Sequence, residues 1–203
     1  MIKNLILFGV FSILFLACSE KGPGYQEPYN PDPITPTIEK LSDEAMMDLV
    51  QKETFKYFWD YANTASGAAK ERYHPSDPTL NQEVVTTGGT GFGLMSIIVA
   101  IERGFITREQ GVARLRKIVD FLETADRFHG AWSHWINGGS GKVLPFSAKD
   151  NGGDLVETAF LVQGLICVKE YLKNGSTTEK EVSTKADVLW KGVEWDWYTQ
   201  NKE

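Results

Sequence analysis

Two stretches of this chain are apolar on nearly every side, and they alternate with stretches apolar on one side only. Residues 91–102, GFGLMSIIVAIE, and residues 154–172, built around LVETAFLVQGLICV, carry almost no polar stripe at helical spacing. Three amphipathic patterns surround them. The first, over residues 41–62, opens with Ser42 as an N-cap and Asp43 and Glu44 in the first turn, and offers Met46, Leu49, Val50, Phe58 and Trp59 as its apolar face. The second opens with Thr107-Arg108-Glu109-Gln110, a capping-box spelling, and sets Val112, Leu115, Ile118, Val119 and Leu122 against Arg114, Arg116, Lys117 and Glu123. The third starts near Thr178, with Glu181 three residues on and a stripe of Val182, Ala186, Leu189 and Val193. An amphipathic helix keeps one face in solvent, whereas a helix apolar all round must be enclosed by others. Their alternation predicts two concentric layers of helical hairpins, the enclosed helices inside. No period-two strand pattern of any length competes with it. The expected fold class is all-α, with about five helices.

Each of the two enclosed patterns is preceded by a glycine pair, Gly88-Gly89 in TTGGTGFG and Gly152-Gly153 in DNGGDLVE. Glycine permits tight turns and close approach of a ligand to the backbone. TGGTGFG is no phosphate loop, because it lacks the Lys-Ser/Thr ending and no strand pattern precedes it. The second pair lies in the richest constellation of the chain, Lys149-Asp150-Asn151-Gly152-Gly153-Asp154-Leu155-Val156-Glu157. Asp154 and Glu157 are three apart and share a helix face, and Asp150 lies one loop-length earlier. Three carboxylates at a helix start suit sugar binding or acid–base catalysis. Asp154 as N-cap with Glu157 as its capping-box partner accounts for two of them without function. A calcium site is a third reading, although the segment lacks EF-hand ligand spacing. Backbone N–H groups at a helix start favour an ionised carboxylate, so this pair suits activating water or gripping hydroxyls better than donating a proton.

Between the second amphipathic helix and this cluster lies RFHGAWSHWINGG. Its His129, Trp132, His134 and Trp135 could stack on sugar faces and donate to hydroxyls, or they could pack the loop over the edge of the helical layer. The two histidines lack a third ligand in view, which leaves a zinc site weak and no metal expected.

The N-terminus reads as an export signal. Residues 1–18 run from Lys3 through a thirteen-residue apolar stretch, Leu5 to Ala17, too short to span a bilayer, and end at Leu16-Ala17-Cys18. This resembles a lipobox, in which Cys18 becomes a lipidated N-terminus, although Phe15 stands where leucine is usual. Residues 19–40 carry five prolines and little apolar periodicity and read as a tether. Residues 41–203 are then the folded domain, in the cell envelope and held to the membrane through the lipid alone. The other cysteine, Cys167, sits among apolar residues and reads as a small core hydrophobe. A net charge of −6 with no basic cluster argues against nucleic acid.

Four segments together carry a resemblance: VVTTGGTGFGLMSIIVAIERGFITREQGVARL, FHGAWSHWINGGSGK, KDNGGDLVETAFLVQGLI and ADVLWKGVEWDWY. In order and spacing they are similar to the glucoamylase-like proteins of Bacteroidetes, related to the endo-β-1,2-glucanases of glycoside hydrolase family 144. The resemblance implies an (α/α)6 toroid of twelve helices and a hydrolase of β-glucan that inverts configuration without a metal or other cofactor. It implies Asp150, Asp154 and Glu157 in the substrate cleft, where the bound partner is an oligo- or polysaccharide. Five helices are fewer than the toroid's twelve, so the chain is expected to represent the first part of such a domain, with a catalytic partner past Glu203. The alternatives are a non-catalytic glycan-binding lipoprotein and a polysaccharide lyase using His129 or Tyr73.

Overall fold

The computed structural model describes residues 41–200, so the stretches read as signal peptide and tether, with Cys18, lie outside the described residues. Helix α1 (Asp43–Trp59) leads through a long loop to a short strand, β1 (Val84–Thr86), which runs directly into α2 (Thr87–Glu102). Helix α3 (Arg108–Thr124) follows, then strands β2 (Arg127–Phe128), β3 (Ala131–Trp132) and β4 (Trp135–Asn137). Helices α4 (Leu155–Leu172), α5 (Thr177–Lys191) and the single turn α6 (Trp195–Tyr198) complete the order.

Side-chain caps set most helix starts. Ser42 accepts from the Ala45 N–H, and Thr107 and Gln110 form the full reciprocal capping box. At α5 the box is made two residues earlier than the sequence suggests, by Ser176 and Glu179. Glu179 is also gripped by Arg108, whose Nε lies 2.6 Å from its carboxylate, so α3 and α5 are tied at their starts. Arg108 in turn donates to the Tyr171 hydroxyl at 2.8 Å, which donates to Glu102 at 2.6 Å.

The layering follows the expected alternation. The most extensive packing is between α2 and α4, while α1 and α3 lie on α2, α5 lies on α4, and α3 meets α5. Leu94 and Ile97 of α2 and Leu161 and Leu165 of α4 are fully buried, as are Leu115, Ile118, Val119 and Leu122 of α3. Each such side chain contributes roughly 1.5–3 kcal/mol by leaving water. The inner helices approach so closely because glycines face each other. A β-carbon on Gly91 would lie 2.2 Å from the Phe160 carbonyl oxygen, and one on Gly164 would lie 2.4 Å from that of Gly91.

Several expectations shift. The apolar face assigned to α1 is mostly uncovered: Met46, Leu49 and Val50 are exposed, Phe58 and Trp59 are half-buried, and Phe55 is the residue that reaches the core. Helix α2 begins at Thr87, so Gly88-Gly89 lies within its first turn instead of before it. The inner helices are enclosed on one side only among the described residues, leaving Phe92, Val99, Phe160 and Ile166 exposed. Cys167 shares this half-covered environment and is not a core residue. The short strands, absent from the sequence reading, form two antiparallel pairs, β1 with β4 and β2 with β3.

Candidate functional site

Strand pairing builds the site. The β1–β4 register places Thr86 opposite Trp135 and Val85 opposite Ile136. This sets the start of α2 against the loop carrying His134, and the Thr87 N–H donates to the His134 carbonyl at 3.2 Å. The start of α4 is brought to the same place by Trp132. Its carbonyl accepts from the Asp154 N–H at 2.8 Å, and Thr158 bonds both the Trp132 N–H (3.0 Å) and its carbonyl (3.2 Å). Two inner-helix N-termini and one loop therefore converge.

Asp154 is the N-cap of α4. Its Oδ1 accepts from the Val156 N–H at 2.9 Å and the Glu157 N–H at 3.0 Å, and its Oδ2 lies 3.2 Å from His134 Nδ1. With Nδ1 facing Asp154, the opposite ring nitrogen of His134 is the one left for a ligand. Glu157 does not close a capping box on its own helix. Its carboxylate reaches across to α2, where Oε2 accepts from the Gly88 N–H at 2.8 Å and the Thr86 hydroxyl at 2.9 Å. The expectation that Glu157 serves as Asp154's capping-box partner is replaced by this cross-helix contact.

Around the pair stands an aromatic rim. Trp135 meets His134 edge-on with centroids 5.5 Å apart, and Phe146 meets Trp135 edge-on at 4.8 Å. Phe146, at 64% the most exposed aromatic side chain beside this pair, went unrecognised in the sequence, where nothing in VLPFSAKD distinguishes it.

The remaining candidates divide. Trp132 is fully buried, with its indole Nε1–H donating to the Leu122 carbonyl at 3.3 Å and the Arg127 guanidinium 4.3 Å above its ring. It is a core residue that positions Asp154, and its burial removes it as a sugar platform. His129 adopts a left-handed backbone (φ 46°), stacks on Trp197 at 3.6 Å and pairs with Glu194 at 2.9 Å. Its partners are Trp197 and Glu194, not Asp150, Asp154 or Glu157. Tyr73, the other proton carrier of the lyase reading, stacks on Tyr61 at 4.0 Å. Asp150 closes a turn through its backbone with Ser147 and Phe146, and its carboxylate makes no hydrogen bond among the described residues. Asp154 thus bonds both the His134 ring and the Glu157 backbone N–H, while the Glu157 carboxylate turns to the start of α2 and Asp150 lies on the adjoining loop. Among the described residues no group of three or more His, Cys, Asp or Glu side chains is arranged to hold a metal ion.

A layered set of helical hairpins with its acidic residues at the inner-helix starts is a partial α/α toroid of the glucoamylase-like kind. The homologues of this chain are the glucoamylase-like proteins of Bacteroidetes and β-1,2-glucan hydrolases related to glycoside hydrolase family 144. An exo β-1,2-glucooligosaccharide sophorohydrolase (non-reducing end) of Parabacteroides distasonis is 48% identical over 171 residues, which are 84% of this chain and 23% of that protein. An endo-β-1,2-glucanase from Chitinophaga pinensis, solved with sophorotriose and glucose, superimposes with TM-score 0.77 at 55% identity, covering 80% of this chain and 39% of that one. A glucoamylase-type protein of Bacteroides fragilis gives TM-score 0.77 at 52% identity over 85% of this chain and 40% of its own. The chain spans less than half the length of each of these relatives. No family model matches it.

Proposed function

We propose that this chain contributes the acidic wall of a glycoside hydrolase cleft that acts on β-1,2-linked glucan. The observation that carries the reading is the convergence of Asp154, Glu157 and His134 on two inner-helix starts beside an exposed aromatic rim. Relatives at 48–55% identity that act on β-1,2-glucans support the substrate class. In this reading Trp135 and Phe146 offer ring faces and edges to glucose units, as aromatic side chains do in ligand sites. His134, oriented by Asp154, accepts or donates to sugar hydroxyls. Glu157 keeps Oε1 without a hydrogen-bond partner among the described residues, while its other oxygen is held by two donors. That leaves one carboxylate oxygen to take a proton from water or from a hydroxyl, the base half of an inverting displacement. Asp154 does not fit as the proton donor to the leaving oxygen, because both of its oxygens are already engaged. Asp150, on the loop beside the rim, is a further hydroxyl acceptor.

The test is incubation of the chain with β-1,2-glucan oligosaccharides, following binding and the release of new reducing ends. Binding with new reducing ends that Glu157→Gln abolishes supports the hydrolase. Binding without them leaves the glycan-binding reading. No binding at all refutes both.

The envelope location belongs to the same proposal and is supported by the apolar stretch ending at Cys18 and the proline-rich residues after it. Cells fed a labelled fatty acid should label the chain, and Cys18→Ser should abolish the label. Persistent labelling of that variant rules out the anchor.

A further inference from the structure

The threonine before α2 breaks a local rule. Thr86 occupies the N-cap position, where a threonine ordinarily accepts a hydrogen bond from its own helix's first N–H groups, yet its side chain makes no such bond. Its hydroxyl points the other way and donates to Glu157 Oε2 at 2.9 Å. The duty it leaves is taken over by Glu157 itself, which accepts the Gly88 N–H at 2.8 Å. Helix α2 is therefore capped by a residue of α4, 71 positions away, and Thr86 is free to hold that residue in place.

The rest of Thr86 is locked. Its N–H donates to the Ala69 carbonyl at 3.0 Å, its carbonyl accepts the Thr90 hydroxyl at 2.7 Å, and it is paired with Trp135 across the β1–β4 ladder. The Thr90 hydroxyl also accepts the Ala69 N–H at 3.1 Å, so the support is itself supported. Gly88 completes the cradle, since a β-carbon there would fall 2.7 Å from Glu157 Oε2. Two donors on one oxygen orient the carboxylate plane, and a rigid backbone beneath them keeps that orientation.

We infer that Thr86 is a positioning residue for glucan recognition: by donating to Glu157 Oε2 it aims Oε1 at a sugar hydroxyl. This rests on the functional reading above, and the experiment separates the two. The full 203-residue chain is titrated calorimetrically with sophorotriose as wild type, Thr86→Val, Thr86→Ser, Gly88→Ala and Glu157→Gln, with a melting curve for each. Loss of a hydrogen bond to a charged acceptor should weaken binding by about tenfold in Thr86→Val. Thr86→Ser, which keeps the hydroxyl, should restore affinity to within about twofold, and Gly88→Ala should weaken binding with the hydroxyl intact. Should Thr86→Val melt lower yet bind as tightly as wild type while Glu157→Gln binds weakly, Thr86 is merely structural: the inference falls and the site reading stands. Should Glu157→Gln bind as well as wild type, or wild type not bind, both fall.

Discussion

Gly91→Ala probes the contact on which the site's geometry depends. Helices α2 and α4 touch through Gly91 and Gly164, with no side chain between them. An alanine β-carbon at position 91 would stand 2.2 Å from the Phe160 carbonyl oxygen and 2.7 Å from the Leu161 Cα. Both obstacles are backbone, so no rotamer change relieves them, and the helices must move apart. Leu94, Ile97, Leu161 and Leu165, all fully buried near this crossing, then lose packing. Overpacking of this kind costs about 1–3 kcal/mol, and backbone obstacles place the cost at or above the upper end. Against it stands the helix preference of alanine over glycine, about 1 kcal/mol. The expected net loss is about 2 kcal/mol, or roughly 4–8 °C in melting temperature for a domain of this size. Gly93→Ala is the internal control. It gains the same helix preference two residues along, and its β-carbon would meet only the edge of the Phe58 ring at 3.1 Å, which can turn aside. Thermal melts followed by circular dichroism should put Gly91→Ala well below wild type and Gly93→Ala at or above it. Equal melting temperatures for the two variants would refute close helix contact as the organising feature. The same separation draws Gly88 away from Glu157, so Gly91→Ala should also weaken sophorotriose binding.

Three further outcomes follow from particular side chains. Trp132→Ala should destabilise the fold by about 3–5 kcal/mol, as loss of a buried aromatic does, and Trp135→Ala by far less; urea denaturation that ranks them the other way contradicts the assignment of Trp132 to the core. Phe146→Ala should leave the melting temperature unchanged, because the ring is 64% exposed, while weakening oligosaccharide binding, and unchanged binding removes Phe146 from the rim. The Ser176 N–H, with the Ser176 hydroxyl and the Arg108 guanidinium, holds the Glu179 carboxyl below the ordinary glutamate value. A lowered folded-state value stabilises the protein above the unfolded value, about 4.3, and that stabilisation disappears as pH falls through the folded one. Glu179→Gln should therefore melt below wild type at neutral pH, with the gap closing below about pH 4. A gap that widens in acid would reverse the sign of the argument.

The parts of this structure that the sequence reveals are those set by local rules. Periodicity reports which faces of a helix are apolar, and it found the five long helices of the described residues and sorted inner from outer, because a helix apolar on all sides carries no polar stripe. It does not report which apolar face is covered. Hence Met46, Leu49 and Val50 read as core but lie exposed, while Phe55 carries the contact. Capping boxes are legible for the same local reason, and the one at Thr107 stands where the spelling puts it. Trp132 and Trp135 show where such reasoning ends. They are three residues apart in one loop, yet the first is driven inward beneath the Arg127 guanidinium and the second stands on the rim. Their fates are decided by different strand pairings, β2 with β3 and β1 with β4, in strands of two or three residues that leave no alternation to read. Glu157 is the sharpest case. Three residues after an N-cap, it fits a capping box by every local measure, and spacing alone offers no reason to look further. The donors that hold it belong to another helix, and the clue lay in a threonine whose own capping role is vacant. Holding the Glu157 carboxylate through a contact between inner helices makes its orientation depend on how closely those helices approach, and the facing glycines at 91 and 164 set that distance.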